Sequence, residues 1–192
     1  MENLLAIAVG MILVNNIVLT RFLGLCSFFG VSRRIRDAGA MGMTVTFVML
    51  CSSVITWVVY NLLLIPLGIE YMRIVVFILV IASFVQMMEM IIRKKSPDLY
   101  GAMGIYLPLV TTNCAILGVA LLNTEVERYS LAGATVSGLA AGIGYTLAIL
   151  MMAGIKERLE LSEVPASFRG AAIEFVIAAL LSMAFTGFAG VM

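Results

Sequence analysis

The sequence predicts an all-α membrane protein: six transmembrane helices arranged as two inverted three-helix repeats, with the first and fourth helices broken. Three observations lead there. The 192 residues are 62% hydrophobic and only 12% charged, with a mean hydropathy of +1.12, a balance that a soluble globule does not sustain. Charged residues are confined to narrow zones. The apolar stretches between them are long enough for helical spans, which need roughly 20 residues to cross about 30 Å of hydrocarbon. Polar interruptions fall in the first and fourth stretches, at Asn15-Asn16 and at Thr111-Thr112-Asn113.

Apolar runs bounded by charge give spans over 4–30, 40–66, 72–92, 101–123, 130–154 and 170–191. The first is predicted to remain as a span, because Met1-Glu2-Asn3 lacks the basic start of a cleavable leader and no small-residue cleavage site follows. Arg33-Arg34-Ile35-Arg36 closes it. The second run ends at Pro66-Leu67-Gly68-Ile69-Glu70, the third at Arg93-Lys94-Lys95-Ser96-Pro97-Asp98, and the fourth at Glu125-Val126-Glu127-Arg128. Between the fifth and sixth, the amphiphilic connection from Lys156 to Arg169 has room for a short surface helix.

Basic residues set the orientation. Three fall in each of the first, third and fifth loops, against Arg73 near the second and Arg128 in the fourth. The odd loops are therefore expected on the cytoplasmic side, with both termini outward. Dividing the chain at Ser96 leaves three spans in residues 1–96 and three in 97–192, and an odd number per half forces the halves into opposite orientations if they share a fold. The first span of each half carries a polar interruption, a Leu-Gly pair (Leu23-Gly24, Leu117-Gly118) and a cysteine, although the cysteines stand at different offsets from that pair.

A net charge of +1 argues against a nucleic-acid partner, and three cysteines within apolar segments do not form the framework of a secreted disulfide protein. With no histidine, a transition metal would have to rely on thiolate or oxygen ligands. Cys26 and Cys114, each beside a break, are the candidate ligands; the alternative is that they pack as small hydrophobes. Two thiols cannot complete a four-thiolate iron–sulfur site, so such a site needs two more from a partner protein or from symmetry. Cys51 lies in a run without a break and is left out. Asn15, Asn16, Thr111, Thr112 and Asn113, with Gly24 and Gly118 beside them, are candidates to surround the site, by binding an ion, by hydrogen-bonding sulfur, or by satisfying backbone freed at the breaks.

Arg21 is the most expensive residue of the first span, since about 2.5–3.5 kcal/mol opposes such a charge at a helix centre. It must snorkel, pair or face a partner. Glu89 and Glu174 fall within or at the rim of the third and sixth spans, where a carboxylate is either part of a cation path or one side of a rim salt bridge. The salt bridge is favoured for both, and Arg93 stands one turn from Glu89. No nucleotide loop, hydrolytic triad or catalytic residue is evident.

The segments Leu13-Val14-Asn15-Asn16-Ile17-Val18-Leu19, Phe22-Leu23-Gly24-Leu25-Cys26, Leu107 through Ala120 with its Thr111-Thr112-Asn113-Cys114 core, and Val164-Pro165-Ala166-Ser167-Phe168-Arg169-Gly170 resemble the A subunits of the Rnf (Rsx) ion-translocating ferredoxin:NAD oxidoreductase. The resemblance covers essentially the whole chain. The chain is also similar to the E subunit of the sodium-pumping NADH:quinone reductase, but its Val-Asn-Asn and Thr-Thr-Asn-Cys forms favour the Rnf branch. The resemblance implies a component of a redox-driven translocase, inactive alone, in the bacterial inner membrane. It further implies that Cys26 and Cys114 hold half of an intramembrane [2Fe-2S] cluster shared with a homologous E subunit of opposite orientation. Electrons from ferredoxin would pass iron–sulfur centres of the B subunit, this cluster, and the flavins of the G and D subunits to the C subunit and NAD, driving sodium or proton export. A secondary transporter with a midplane site and a structural scaffold are the competing readings from other classes.

Overall fold

A computed structural model of the chain describes residues 4–32, 34–95, 107–126, 129–159 and 170–187. All regular structure among the described residues is helical. In chain order the helices are α1 (Leu4–Val14), α2 (Leu25–Val31), α3 (Ile35–Leu67), α4 (Arg73–Lys95), α5 (Leu107–Thr111), α6 (Cys114–Leu121), α7 (Leu131–Leu159) and α8 (Ala171–Thr186). Three five-residue stretches are wound wide, as π-helical turns: Gly10–Val14 ending α1, Tyr60–Leu64 within α3, and Leu122–Val126 following α6.

Three helices are long and apolar enough to cross a membrane, Ile35–Leu67, Glu70–Ile91 and Leu131–Leu159, and they correspond to the second, third and fifth apolar runs. The first and fourth runs are interrupted where their polar residues fall: α1 gives way at Asn15, and α5 and α6 are separated at Thr112-Asn113. Short polar side chains offer the backbone local partners outside a helical ladder, so they end a helix where an apolar residue would continue it. Residues 96–106, 127–128 and 160–169, which include the boundary at Ser96 and most of the third and fifth connections, lie outside the described residues.

The core is built on α3 and α7, which run antiparallel: Gly39 lies against Leu150, Gly42 against Thr146, Gly142 against Thr46, and Gly138 against Ser53. At the far end, the Trp57 indole N–H donates to the Tyr129 carbonyl at 2.9 Å. A Cβ on Gly142 would come within 2.7 Å of Thr46 Cα, so glycine is required for this approach. Small residues let backbones approach closely where burial of apolar surface gives no drive between helices in lipid. The crossing is reciprocal, Gly42 to Thr146 and Gly142 to Thr46, and the two threonine hydroxyls meet at 3.1 Å.

α4 and α8 lie outside this pair. Phe77, Ile81 and Val85 of α4 turn one face inward at helical spacing, while Val75, Leu79 and Met90 remain exposed. On α8, Ile177, Ala178 and Phe185 are buried, and Phe175, Leu180 and Met183 face out. Helices apolar on both faces suit a lipid surround.

Candidate metal centre at the paired helix breaks

The first break begins where the Asn15 N–H bonds back to the Gly10 carbonyl at 2.6 Å, closing the wide last turn of α1. Asn16 is fully buried and works with both ends of its amide: Nδ2 donates to the Gly144 carbonyl of α7 at 2.9 Å and to the Ile12 carbonyl at 3.2 Å, while Oδ1 accepts from the Val18 N–H. Ile17, Val18 and Leu19 then enter the core. The chain turns out again through Phe22 and Gly24, both left-handed, with φ of 54° and 82°. Glycine takes that conformation without steric cost; phenylalanine does not. α2 follows, with Cys26 in its first turn.

At the second break Asn113 is extended, and its Oδ1 accepts from the Ala115 N–H at 3.0 Å, capping α6. Cys114 is therefore the first residue of a helix. The unpaired backbone N–H groups of a first turn favour negative charge.

The two breaks pack against each other. The Gly24 N–H donates to Cys114 Sγ at 2.9 Å. A Cβ on Gly24 would stand 2.9 Å from Asn113 Oδ1, and one on Gly118 would stand 2.7 Å from Leu23 Cδ1. Thus the glycine of each Leu-Gly pair serves a contact between the breaks. Ser27, beside Cys26, donates to the Gly24 carbonyl and accepts from Tyr145 of α7 at 2.7 Å and from Asn113 Nδ2 at 3.4 Å. Both Cys26 and Cys114 are free and exposed, although Gly24, Ser27 and Asn113 around them are buried.

Of the residues singled out in the sequence, Cys26, Cys114, Asn16, Gly24, Asn113 and Gly118 converge here. Asn15 and Thr112 are exposed and Thr111 is half-buried, flanking the breaks. Arg21 is exposed within the first break, and Cys51 sits half-buried on α3. Ser27 and Tyr145 are not singled out by the sequence. A signal for Tyr145 is nevertheless present, since it is the sole aromatic residue of α7, set in Gly142-Ile143-Gly144-Tyr145.

The salt bridge expected for Glu174 is present: Lys156 Nζ lies 2.7 Å from Glu174 Oε1 and also donates to the Phe29 carbonyl of α2 at 2.9 Å. Glu89 is half-buried, and the side chain of its expected partner Arg93 lies outside the described residues.

Among the described residues, no three or more cysteine, histidine or acidic side chains converge as a metal site. Cys26 and Cys114, both free and exposed, could supply at most two ligands of a four-thiolate shell, and such a shell would need two more from outside this chain.

A family model described as "Rnf-Nqr subunit, membrane protein" matches residues 4–192. The chain is 54% identical over 190 residues to the A subunit of the ion-translocating oxidoreductase complex of Syntrophotalea carbinolica, covering 99% of this chain and 98% of that one. It is 50% identical over 190 residues to the protein of the same description from Azoarcus sp., with the same coverage. Over 188 residues it is 50% identical to the A subunit of the Na(+)-translocating ferredoxin:NAD(+) oxidoreductase complex of Acetobacterium woodii, covering 98% and 97% of the two chains.

Proposed function

Because the chain belongs to the Rnf-Nqr family of membrane subunits, we propose that it acts as the A subunit of an ion-translocating ferredoxin:NAD oxidoreductase complex. In this reading Cys26 and Cys114 give two thiolates to a [2Fe-2S] cluster, and a homologous E subunit, inserted the opposite way up, gives the other two. When bound, the cluster supplies one-electron transfer between the iron–sulfur centres on the ferredoxin side and the flavin subunits that lead to NAD, the transfer that drives sodium or proton export.

The observation that carries this reading is the hydrogen bond from the Gly24 N–H to Cys114 Sγ at 2.9 Å, with Cys26 two residues further along the chain. This bond joins the two breaks that carry the exposed thiols of Cys26 and Cys114. This chain's own residues have definable tasks there. The Gly24 N–H and the first turn of α6 stabilise anionic sulfur. Asn113 sets where α6 begins, and hence where Cys114 stands. Tyr145 and Asn113 together hold Ser27, and through it the first turn of α2.

The wider layout follows the same reading: six spans in two inverted halves, supported by the reciprocal antiparallel crossing of α3 and α7, with both termini on the outer side of the bacterial inner membrane. The B, C, D, E and G subunits are its partners. The test is Cys26→Ser and Cys114→Ser in the assembled complex. Loss of the cluster's iron and of ferredoxin-dependent NAD reduction is expected, and retention of both overturns the assignment.

A further inference from the structure

At the end of the molecule where α3 meets α4, a pocket of about 300 Å³ is lined by Trp57, Tyr60, Asn61, Glu70, Asn123 and Thr124, among others. Two of the wide turns build it. Tyr60 and Asn61 come from the turn in α3, and Asn123 and Thr124 from the turn after α6. Such turns recur at functional sites because they displace side chains from the regular helical register.

Four of the lining residues donate hydrogen bonds to the protein around them. Trp57 Nε1 donates to the Tyr129 carbonyl, Asn61 Nδ2 to the Trp57 carbonyl, Asn123 Nδ2 to Ser53 Oγ, and Thr124 Oγ1 to the Ala120 carbonyl. The single donors of Trp57 and Thr124, and one N–H of each asparagine, are thus engaged with the protein. Asn123 is 1% exposed, and its Oδ1 has no hydrogen-bond partner. A buried acceptor in that state costs free energy until something polar reaches it. Glu70 is exposed and adds a carboxylate, and among the described residues no lysine or arginine lines the pocket.

We propose that this pocket binds a monovalent cation, with the Glu70 carboxylate and Asn123 Oδ1 among its oxygen ligands. One carboxylate and neutral oxygens match a single positive charge; a tightly held divalent ion gathers more carboxylates. The binding site itself stands on the pocket geometry. Its role as a station on the outer side for the exported ion rests on the function and orientation proposed above. At the opposite end of α7 the charges are already paired, Lys156 with Glu174.

Trp57 is the only tryptophan of the chain and lines the pocket, so it reports occupancy directly. The full chain in detergent is titrated with NaCl, KCl or LiCl against N-methyl-D-glucamine chloride at constant ionic strength. A saturable change in Trp57 fluorescence is expected with at least one alkali cation and not with the bulky ammonium. Its midpoint should rise at least tenfold in Glu70→Gln, an exposed position whose substitution leaves the fold intact, and in Asn123→Leu. No saturable change, an equal response to N-methyl-D-glucamine, or an unmoved midpoint in Glu70→Gln overturns the site. The cysteine substitutions in the complex do not touch this pocket. Cation binding together with retained iron in those variants would remove the cluster assignment alone, and lost iron without cation binding would remove this site alone.

Discussion

The two helix breaks reach the same place by different means. The first runs from Asn15 to Gly24 and is held at many points: Asn16 bonds to α7, Ile17 to Leu19 are buried, and two left-handed residues turn the chain outward. The second is confined to Thr112 and Asn113, and one side chain sets it, through the Asn113 cap on Ala115. Each break leaves a cysteine in the first turn of the helix that follows. A long break spreads its stability over many contacts, so no single polar residue governs it. A short break depends on its cap.

That contrast can be tested from the largest expected effect downward. Gly24→Ala puts a Cβ at a φ of 82° and against Asn113 Oδ1. Backbone strain of this kind costs roughly 1–3 kcal/mol, to be read as a lowered unfolding midpoint of the detergent-solubilised chain. An unchanged midpoint would mean that the breaks do not brace each other. Asn113→Ala removes the cap and should cost about 1 kcal/mol in the same measurement; a cost near zero would show that the short break is also held by its surroundings. Asn15→Ala, at an exposed position within the long break, should stay within about 0.5 kcal/mol of wild type. A larger loss there would mean that the long break does depend on one residue.

The continuous helices were legible in the sequence, because runs free of charge and of clustered polar residues leave the chain no reason to stop. The positions of the breaks were legible for the converse reason. Which polar residue of a break turns inward was not. Asn15 and Asn16 are neighbours of identical chemistry, yet one is exposed and the other buried, since α1 ends at Val14 and the backbone changes direction across them. Tyr145 joins the site from far along the chain, so only tertiary packing brings it to Ser27. Lys156 marks a similar limit. Its charge reads as the start of a connection after a span ending at 154, but α7 continues to Leu159 and buries the lysine against Glu174 and the Phe29 carbonyl. A salt bridge at that rim was legible; its partner was hidden because a charged residue reads as the end of a helix.

The crossing of α3 and α7 has a consequence for how the protein is made. Thr46 and Thr146, whose hydroxyls meet at its centre, are 100 residues apart in sequence. At ribosomal speeds of roughly 5–20 residues per second, α3 waits about 5–20 s for the partner that its glycine groove fits. Through that interval Ser53, which packs on Gly138 of α7 in the finished bundle, has no such neighbour. The α3–α7 core therefore closes only once α7 has been translated.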